Sequence, residues 1–467
     1  MSDLLERARE WMADVHPHFE HMQRTLDWAL ELDADAGEAV RIAAVTHDAE
    51  RAYPDRAAGW DSAVSWDDRE YNRWHQERCA RIVAEWMSEH GAPVELAAEV
   101  ERLVGAHEDG GWPEADLVQA ADSLSFLETM THVLAEWVQS GRTSRERAQG
   151  KARHSLARIS RGLPRAREEA EPMLASALQR LAAVSTPDEV LAATRLAGRG
   201  RILSLARDRF PRMPIFAGHP SFEVLSYRTP QGLRAAGDRP WGPVNEAGLG
   251  YMSELVMGTT HSGAHIDAHA HMTVGEDDRW NGGSARRHLG DFGPLRGDAT
   301  EIPPLWRRGV LYDVPGHRSV EHLGRGEPVT AAELEEIESD GGAAAGAGDV
   351  ALVRTGYMLH WPDPQRMEEH RGPGPDESAA RLLADRGVVA VGSDTETFEV
   401  QPAPDPGEPA NPQPVHTLLL IERGIYIMEG LDLEALAASG AREFLFVALP
   451  LKIRGATGSM IDPVAVI

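Results

Sequence analysis

Four histidines and one aspartate fall close together in the second half of the chain, between His261 and His271. If this segment is extended, its side chains alternate between two faces. One face then carries only imidazole and carboxylate groups and the other carries small apolar groups. Gly263 permits a bend that would bring His261 to the same centre. The predicted polar face consists of His265, Asp267, His269 and His271.

Imidazole nitrogens combined with a carboxylate form a ligand set that suits Zn²⁺ or Mn²⁺. The cluster therefore predicts a metal site, against the alternative of a histidine-rich surface loop or a chance grouping. Further ligands are expected downstream, where His416 precedes an apolar run and Glu429 ends the run that begins at Gly424. Burying a carboxylate there is costly without a cation. Two interpretations of Glu429 stay open: a metal ligand, or a capping group for a helix predicted over 431–439.

A second set of such residues lies in the first half of the chain. His47 and Asp48 end an apolar run, and Asp122 stands inside an apolar helix, where aspartate is unfavourable without a partner. His21 precedes them, with His75 and His107 in between. The alternative is that His16, His18 and His21 are ordinary polar residues near a helix start, and that His47-Asp48 is a helix end.

The composition of the chain limits the number of domains, the class of ligand and the cellular compartment that we expect. A chain of 467 residues is long enough for two or more domains. The formal charge of −27 argues against nucleic acid as the main ligand. The single cysteine, the absence of a long apolar stretch and the charged first residues predict a cytoplasmic protein without a membrane anchor. The expected partners are a small-molecule substrate and further copies of the chain, as a homodimer or higher homo-oligomer.

The elements that must position these residues differ between the halves. Residues 1–195 have helical spacing of apolar residues and are predicted to be all-α. From about residue 200, glycine and proline punctuate short β-branched runs, which predicts an α/β arrangement. The predicted strands are 309–314, 349–354, 387–392, 424–428 and 443–448, and the predicted helices are 330–338, 377–386 and 431–439.

The second half resembles the cyclase or kynurenine-formamidase-like family of metal hydrolases, whose signature is His-x-Gly-Thr-His-x-Asp-x-Pro-x-His. The resemblance extends over most of 195–467. Apart from the cluster it rests on the segments 213–220, 280–282, 348–356, 391–395 and 455–459 and on the pair His416 and Glu429. It departs from the signature at Ala264, where the family has threonine, and at His269, where it has proline.

This resemblance implies a site in which metal is bound by His261, His265, Asp267, His416 and Glu429. Whether this site holds one metal ion or two stays open. His271 matches the general acid/base, which would pass a proton to the leaving group of a small amide, cyclic amide or lactone. His269 is expected to contact substrate or merely to pack, and Trp280 to form an apolar wall or to anchor a turn.

The first half resembles the HD-domain metal phosphohydrolases, most closely members with a two-metal site such as the symmetrical diadenosine-tetraphosphate hydrolases. The resemblance implies a first metal, held by His21, His47, Asp48 and Asp122, and a second at His75 and His107, with Mn, Fe or Mg as the ion. Phosphate contacts are available at Arg24, Arg51 and Arg73, although each is better explained as a solvated charge on a helix face.

Together these features predict a bifunctional metal-dependent hydrolase of several domains. An all-α HD-type domain spans 1–165, a helical linker spans 166–198, and an α/β cyclase-like domain of swivelling β/β/α type spans 199–467. Two alternatives stay open for the first domain: a nucleotide sensor or a di-iron oxygenase. A third alternative is that Ala264 and His269 mark a binding-only second domain.

Overall fold

The chain forms two compact units, Met1–Asp188 and Glu189–Ile467. The computed structural model describes residues 3–53, 61, 63, 65–407 and 409–467. The boundary between the units lies inside the segment predicted as a linker, 166–198. Its first part instead belongs to a long helix whose Ala170, Ala177 and Leu181 are buried in the core of the first unit.

The first unit is helical, as the sequence predicts. Its core is built from the buried faces of these helices, in which small residues allow close packing. The helices are α1 (Asp3–Val15), α2 (Phe19–Leu32), α3 (Glu38–Thr46), α4 (Arg69–Glu89), α5 (Val94–Val104), α6 (Pro113–Thr129), α7 (Thr131–Gln139), α8 (Arg145–Arg158) and α9 (Pro164–Ala183); α10 (Pro187–Thr194) follows at the boundary.

Helix α6 is the central element of the first unit. Pro113 occupies its first turn, where a missing N–H costs nothing. The helix is buried on almost every side and packs against α2, α3, α8 and α9. Asp122 therefore lies in the interior of the unit, and α2 and α3 bring histidines towards it.

The second unit is α/β, as predicted, and is built on a nine-stranded mixed sheet. The sheet order is β1-β17-β15-β9-β11-β13-β14-β4-β16. Its strands are β1 (Ile202–Ser204), β4 (His265–Asp267), β9 (Leu305–Asp313), β11 (Val350–Arg354), β13 (Ala390–Ser393), β14 (Tyr426–Glu429), β15 (Glu443–Ala448), β16 (Gly458–Met460) and β17 (Val464–Val466).

Short strand pairs lie outside this sheet and helices cover it. The remaining strands are β2 (Glu223–Arg228), β3 (Ser253–Met257), β5 (Arg279–Trp280), β6 (Gly283–Ser284), β7 (Leu289–Gly290), β8 (Gly293–Pro294), β10 (Pro328–Val329) and β12 (Gly374–Pro375). The helices are α11 (Pro230–Ala235), α12 (Ala285–His288), α13 (Val314–Arg318), α14 (Ala331–Ser339), α15 (Pro364–Glu369), α16 (Glu377–Asp385), α17 (Pro414–His416), a π-helical segment (Thr417–Glu422) and α18 (Glu434–Ala438).

The centre of the sheet consists of the parallel strands β9, β11, β13 and β14. Strands β11, β13 and β14 are buried throughout, which explains their continuous apolar runs. Strand β4 pairs antiparallel with β14, and β16 pairs antiparallel with β4. The histidine cluster thus joins the sheet beside the strand that ends in Glu429.

The cluster is not one extended segment, so that expectation was wrong in its second half. Strand β4 ends at Asp267, and residues His269–His271 form a single 3-10 turn. The turn breaks the alternation of side chains, so His269 no longer shares a face with His265 and Asp267.

Within the described part of the chain, no helix combines the length and the apolar content needed to cross a bilayer.

Candidate metal centres

The first candidate centre begins with the pairing of β4 and β14. His265 and Glu429 are directly opposite each other in the antiparallel register, and His265 Nε2 lies 3.2 Å from Glu429 Oε2. His416 Nε2 approaches the other oxygen, Glu429 Oε1, at 3.3 Å. Glu429 therefore faces two histidines, whereas helix α18 begins only at Glu434.

Asp267 is the fully buried centre of this cluster. His261 Nδ1 lies 2.9 Å from its Oδ1, and His265 Nε2 lies 3.7 Å from the same oxygen. Its second oxygen, Oδ2, is buried and has no hydrogen-bond partner among the described residues. Burial alone would raise the pKa of Asp267, but its electrostatic interaction with His271 and its hydrogen bond with His261 hold this pKa far below its ordinary value.

The buried carboxylate Glu399 orients His416. Its Oε1 accepts from His416 Nδ1 at 2.5 Å and from the backbone N–H of His416 at 3.0 Å. Burial opposes protonation of His416, but the hydrogen bonds to Glu399 and Glu429 raise its pKa to about 10. With Nδ1 held by Glu399, the Nε2 atom is directed at Asp267 and Glu429. A carboxylate behind an imidazole is the usual support of a histidine metal ligand.

Two glycines make room for the cluster. Gly263 has a φ of +63°, so the predicted bend exists, and Arg209 Nε donates to the carbonyl of the adjacent Ser262 at 2.9 Å. On β16, Gly458 is opposite Asp267, and a Cβ there would lie 2.5 Å from the His261 ring. The His261 imidazole therefore occupies the space that a side chain at position 458 would fill.

His271 stands over the cluster on the 3-10 turn. Its ring stacks on that of His261, with centroids 4.0 Å apart. Burial lowers the pKa of His271 to about 4, so the ring is neutral near pH 7. His219 also stacks on His261, with 5.3 Å between the two ring centroids. A neutral imidazole beside the cluster can accept and return a proton.

Four members of the cluster, together with His271, line a cavity of about 220 Å³; they are His261, His265, His416 and Glu429. Its walls are mainly apolar, and Asp394 and Glu396 add carboxyl groups at one side. Burial raises the pKa of Asp394 to about 6. The apolar wall is formed by Ile215, Phe216, Met272, Met358, Trp361 and Met367.

His269 and Trp280 were expected to contact substrate, but neither is among the described residues that line this cavity. The His269 ring stacks on Tyr426 at 4.5 Å, and its Nε2 donates to the carbonyl of Gly424 at 3.0 Å. Trp280 is buried, and its Nε1 donates to the carbonyl of Arg296 at 3.2 Å. The packing interpretation of His269 and the turn-anchor interpretation of Trp280 fit these contacts.

The donor set fits a divalent cation. Three imidazoles and two carboxylates converge, and the buried Oδ2 of Asp267 lacks a hydrogen-bond partner among the described residues, which a cation would supply. The residues that would hold the ion are His261, His265, Asp267, His416 and Glu429.

The second candidate centre lies in the first unit around Asp122. His21 Nε2 and His47 Nε2 lie 3.2 and 3.3 Å from Asp122 Oδ1. The Nδ1 of His47 is within 2.9 Å of the carbonyl of Ala44, and the Nδ1 of His21 is within 2.8 Å of Ser125 Oγ. Each ring thus has its Nδ1 occupied and its Nε2 directed at the carboxylate, as metal ligands do.

Two more histidines extend this centre. His75 Nε2 lies 2.9 Å from Asp48 Oδ1, and its Nδ1 lies 3.2 Å from Glu50 Oε2. His107 bridges the groups, with its ring centroid 5.3 Å from both His47 and His75. The buried Nε2 of His107 has no hydrogen-bond partner among the described residues. All six predicted ligands therefore converge, although Asp48 lies with His75 rather than with His21, and the set fits one or two cations.

A cavity of about 240 Å³ lies over this centre, and several cationic side chains are among the residues that line it. Arg158 Nη2 donates to Asp122 Oδ2 at 2.7 Å and also pairs with Glu108. Arg51 and Lys151 line the same cavity. Of the other predicted phosphate contacts, Arg24 is held by Glu128 and Glu31 and Arg73 is exposed.

Several residues of both centres were not found from the sequence. Glu399, which supports His416, lies outside the recognised motifs. Glu50, which supports His75, comes two residues after Asp48 but was not singled out. Lys151 and Arg158 come from α8, whose sequence is that of a polar helix. The one available signal is a carboxylate placed among apolar residues, as in Phe398-Glu399-Val400.

The second unit is similar to known proteins in sequence and in fold. Residues 180–400 match the family model described as "Putative cyclase". A solved structure described as a novel cyclase is 26% identical, with a TM-score of 0.54, over 62% of this chain and 96% of that one. The predicted resemblance to the cyclase family is confirmed for this region, which includes the 261–271 cluster and ends before His416.

More distant solved structures are similar over the same part of the chain. Isatin hydrolase A from Labrenzia aggregata is 20% identical with a TM-score of 0.41, over 59% of this chain and 98% of that one. Isatin hydrolase A from Ralstonia solanacearum is 21% identical with a TM-score of 0.44, over 60% of this chain and 98% of that one. No curated protein matches the chain.

Proposed function

We propose that the second unit is a metal-dependent hydrolase of a small amide, cyclic amide or lactone. The observation that carries this proposal is the convergence of three imidazoles and two carboxylates beneath a small, mainly apolar cavity. A pocket of this size and lining suits one compact, uncharged substrate with an apolar ring or chain.

A bound divalent cation supplies Lewis acidity, which acidifies water and polarises a carbonyl group. His261, His265, Asp267, His416 and Glu429 would hold the ion. Glu399 keeps His416 Nε2 directed at the centre. The neutral ring of His271 takes a proton from the attacking water and returns it to the leaving nitrogen or oxygen. The apolar wall holds the substrate and excludes bulk water.

Turnover by the metal-loaded protein tests this proposal. The substrates are an aryl formamide, a cyclic amide and an aryl lactone, and the comparison is wild type against the double variant His265→Ala/Asp267→Ala. Loss of turnover of at least one substrate and loss of bound metal are expected. The control is His317→Ala, because His317 is a partly exposed histidine of the same unit that pairs with Glu336 and Asp340. Full metal content and turnover in the double variant would refute the proposal.

We propose a second activity for the first unit, the hydrolysis of a phosphate ester or anhydride of a nucleotide-like substrate. The supporting observation is that five of the six proposed ligands line one cavity together with Arg51, Lys151 and Arg158. Cationic side chains beside a metal centre suit a phosphoryl group, whose charge spreads over several oxygens. This is the HD-type interpretation of the first unit.

The test uses the full chain carrying His265→Ala/Asp267→Ala, so that only the second centre, around Asp122, can act. Release of phosphate from nucleotide phosphates in the presence of Mn²⁺ supports the proposal, and its loss in Asp122→Asn assigns the activity. Nucleotide binding without turnover would indicate a sensor instead. Oxygen consumption by the iron-loaded protein would indicate a di-iron oxygenase.

We also propose that the protein is a homodimer or higher homo-oligomer. The antiparallel pair of β2 and β3 exposes apolar side chains, among them Tyr227 at 64% and Val256 at 59% of their surface. Contiguous exposed apolar surface is a feature of association sites. Light scattering should give a mass of at least two chains, and the mass of one chain at micromolar concentration would contradict this proposal.

A further inference from the structure

A third group of histidines lies in the second unit outside the 261–271 cluster and outside the lining of its cavity. His322 follows helix α13, His360 ends the 3-10 turn Tyr357–His360, and His370 ends helix α15. The ring centroid of His322 lies 4.6 Å from that of His360 and 4.7 Å from that of His370. His360 and His370 stack at 3.8 Å. Three separate segments thus meet at three imidazoles.

The hydrogen bonds of these rings leave nitrogen lone pairs available. His322 Nδ1 lies 2.9 Å from the carbonyl of Leu323, and His370 Nδ1 lies 2.8 Å from the carbonyl of Arg366, so both donate through Nδ1. Their Nε2 atoms then carry the lone pairs. Fixing one ring nitrogen on a carbonyl is how proteins orient histidine ligands.

His360 is the decisive member. It is only 1% exposed, yet neither of its ring nitrogens has a hydrogen-bond partner among the described residues. A buried polar group without a partner costs free energy, and such a group calls for an explanation.

We propose that His322, His360 and His370 bind a divalent transition-metal ion, with Zn²⁺ as the expected ion and water in the remaining position. One ring nitrogen from each residue lies within 4.8 Å of the others. Nitrogens bound tetrahedrally to Zn²⁺ at roughly 2.1 Å would lie about 3.4 Å apart. Small rotations that separate the stacked rings of His360 and His370 would bring the three nitrogens to this spacing. An all-imidazole set favours Zn²⁺, Ni²⁺ or Cu²⁺ over Mg²⁺ or Ca²⁺.

The position of this site gives the ion a structural role. The segment that carries His360 and His370 also carries Tyr357, Trp361 and Met367, which line the 220 Å³ cavity. Glycine at 356 allows the approach, because a Cβ there would lie 2.7 Å from that of His322. An ion held by the three histidines ties this wall of the cavity to the loop after α13. The proposal does not depend on the reaction assigned to the cavity.

The test counts bound metal and uses no activity. Full-length protein is stripped with a chelator, saturated with Zn²⁺ and desalted, and its zinc is measured per chain by mass spectrometry. The double variant His322→Gln/His370→Gln is expected to hold one equivalent fewer than wild type. His317→Gln is the matched control and should hold the wild-type number.

Thermal unfolding of the same samples gives a second readout. Zn²⁺ should raise the midpoint of wild type by more than that of the double variant. If the double variant fails to fold, His370→Gln alone takes its place, because His370 is partly exposed at the end of α15. An equal number of zinc ions in wild type and in the folded variant would overturn the proposal and leave the cluster as a metal-free stack of imidazoles.

Discussion

His265 and Glu429 face each other across the antiparallel pair β4 and β14, with His265 Nε2 3.2 Å from Glu429 Oε2. These residues are far apart in sequence, and the sheet register alone brings them together. A slip of one residue would turn one of them to the opposite face of the sheet. The candidate centre of the second unit therefore depends on strand pairing as much as on its ligands.

Replacing Glu429 by glutamine should weaken metal binding in the second unit by at least about tenfold, because an anionic ligand becomes neutral while the volume is kept. Competition with a chromophoric chelator measures this affinity. Glu443→Gln is the control, since Glu443 is exposed and pairs with Arg308. Unchanged affinity in Glu429→Gln would show that Glu429 supports the fold rather than the ion.

Glu399→Gln should reduce metal affinity by about 10- to 100-fold, the usual effect of removing the group behind a histidine ligand. The substitution keeps the size of the side chain but removes the charge that holds His416 Nδ1. The same chelator assay applies. An affinity equal to that of wild type would mean that His416 keeps its orientation without Glu399.

His271→Asn should lower kcat by about 10²- to 10⁴-fold, the usual contribution of a general acid/base. Because its proposed part is proton transfer rather than metal binding, metal content should stay at the wild-type value. Steady-state kinetics on the substrate turned over by wild type, together with metal analysis, separates these effects. Loss of metal in His271→Asn would instead make His271 a ligand.

Gly458→Ala should disturb the first centre without touching any ligand. The added methyl group would lie 2.5 Å from the His261 ring, so the ring must move away from Asp267. Metal affinity and turnover should both fall. Gly346→Ala is the matched control, since the closest atom to its Cβ would lie at an ordinary 3.8 Å. Wild-type affinity in Gly458→Ala would show that His261 is dispensable.

Lys151→Met should lower kcat/KM for nucleotide phosphates by at least about tenfold, because a cation that faces the phosphoryl group is lost. Turnover of the amide or lactone substrate by the second unit should not change, which provides an internal control. Arg153→Met on the same helix removes an exposed charge and should have no effect. An equal loss in both variants would mean that overall charge, not the cavity, sets the rate.

The sequence predicted the parts of the fold that follow from local pattern. All five predicted strands form, and so do the helices over 331–339 and 377–385. Their sequences have the alternation, apolar runs and caps that such elements need. The 3-10 turn at 269–271 was not predictable, because the backbone leaves the strand where tertiary contacts require it. His269 then packs on Tyr426, a residue remote in sequence.

The candidate ligands were predictable because their residue types and order are unusual. Their supports were not, since Glu399, Gly458 and Arg209 are recognisable only by what they touch in space. The group at His322, His360 and His370 was missed for the same reason. Each of its members is isolated in sequence. The loop after α13, the 3-10 turn Tyr357–His360 and the end of α15 bring them together.

The most direct test of the central claim is X-ray diffraction from crystals of the metal-loaded protein, recorded at the absorption edge of the bound metal. The account predicts an anomalous peak within bonding distance of His261, His265, Asp267, His416 and Glu429, at the floor of the cavity beneath His271. A fully loaded crystal without a peak at these residues would contradict it.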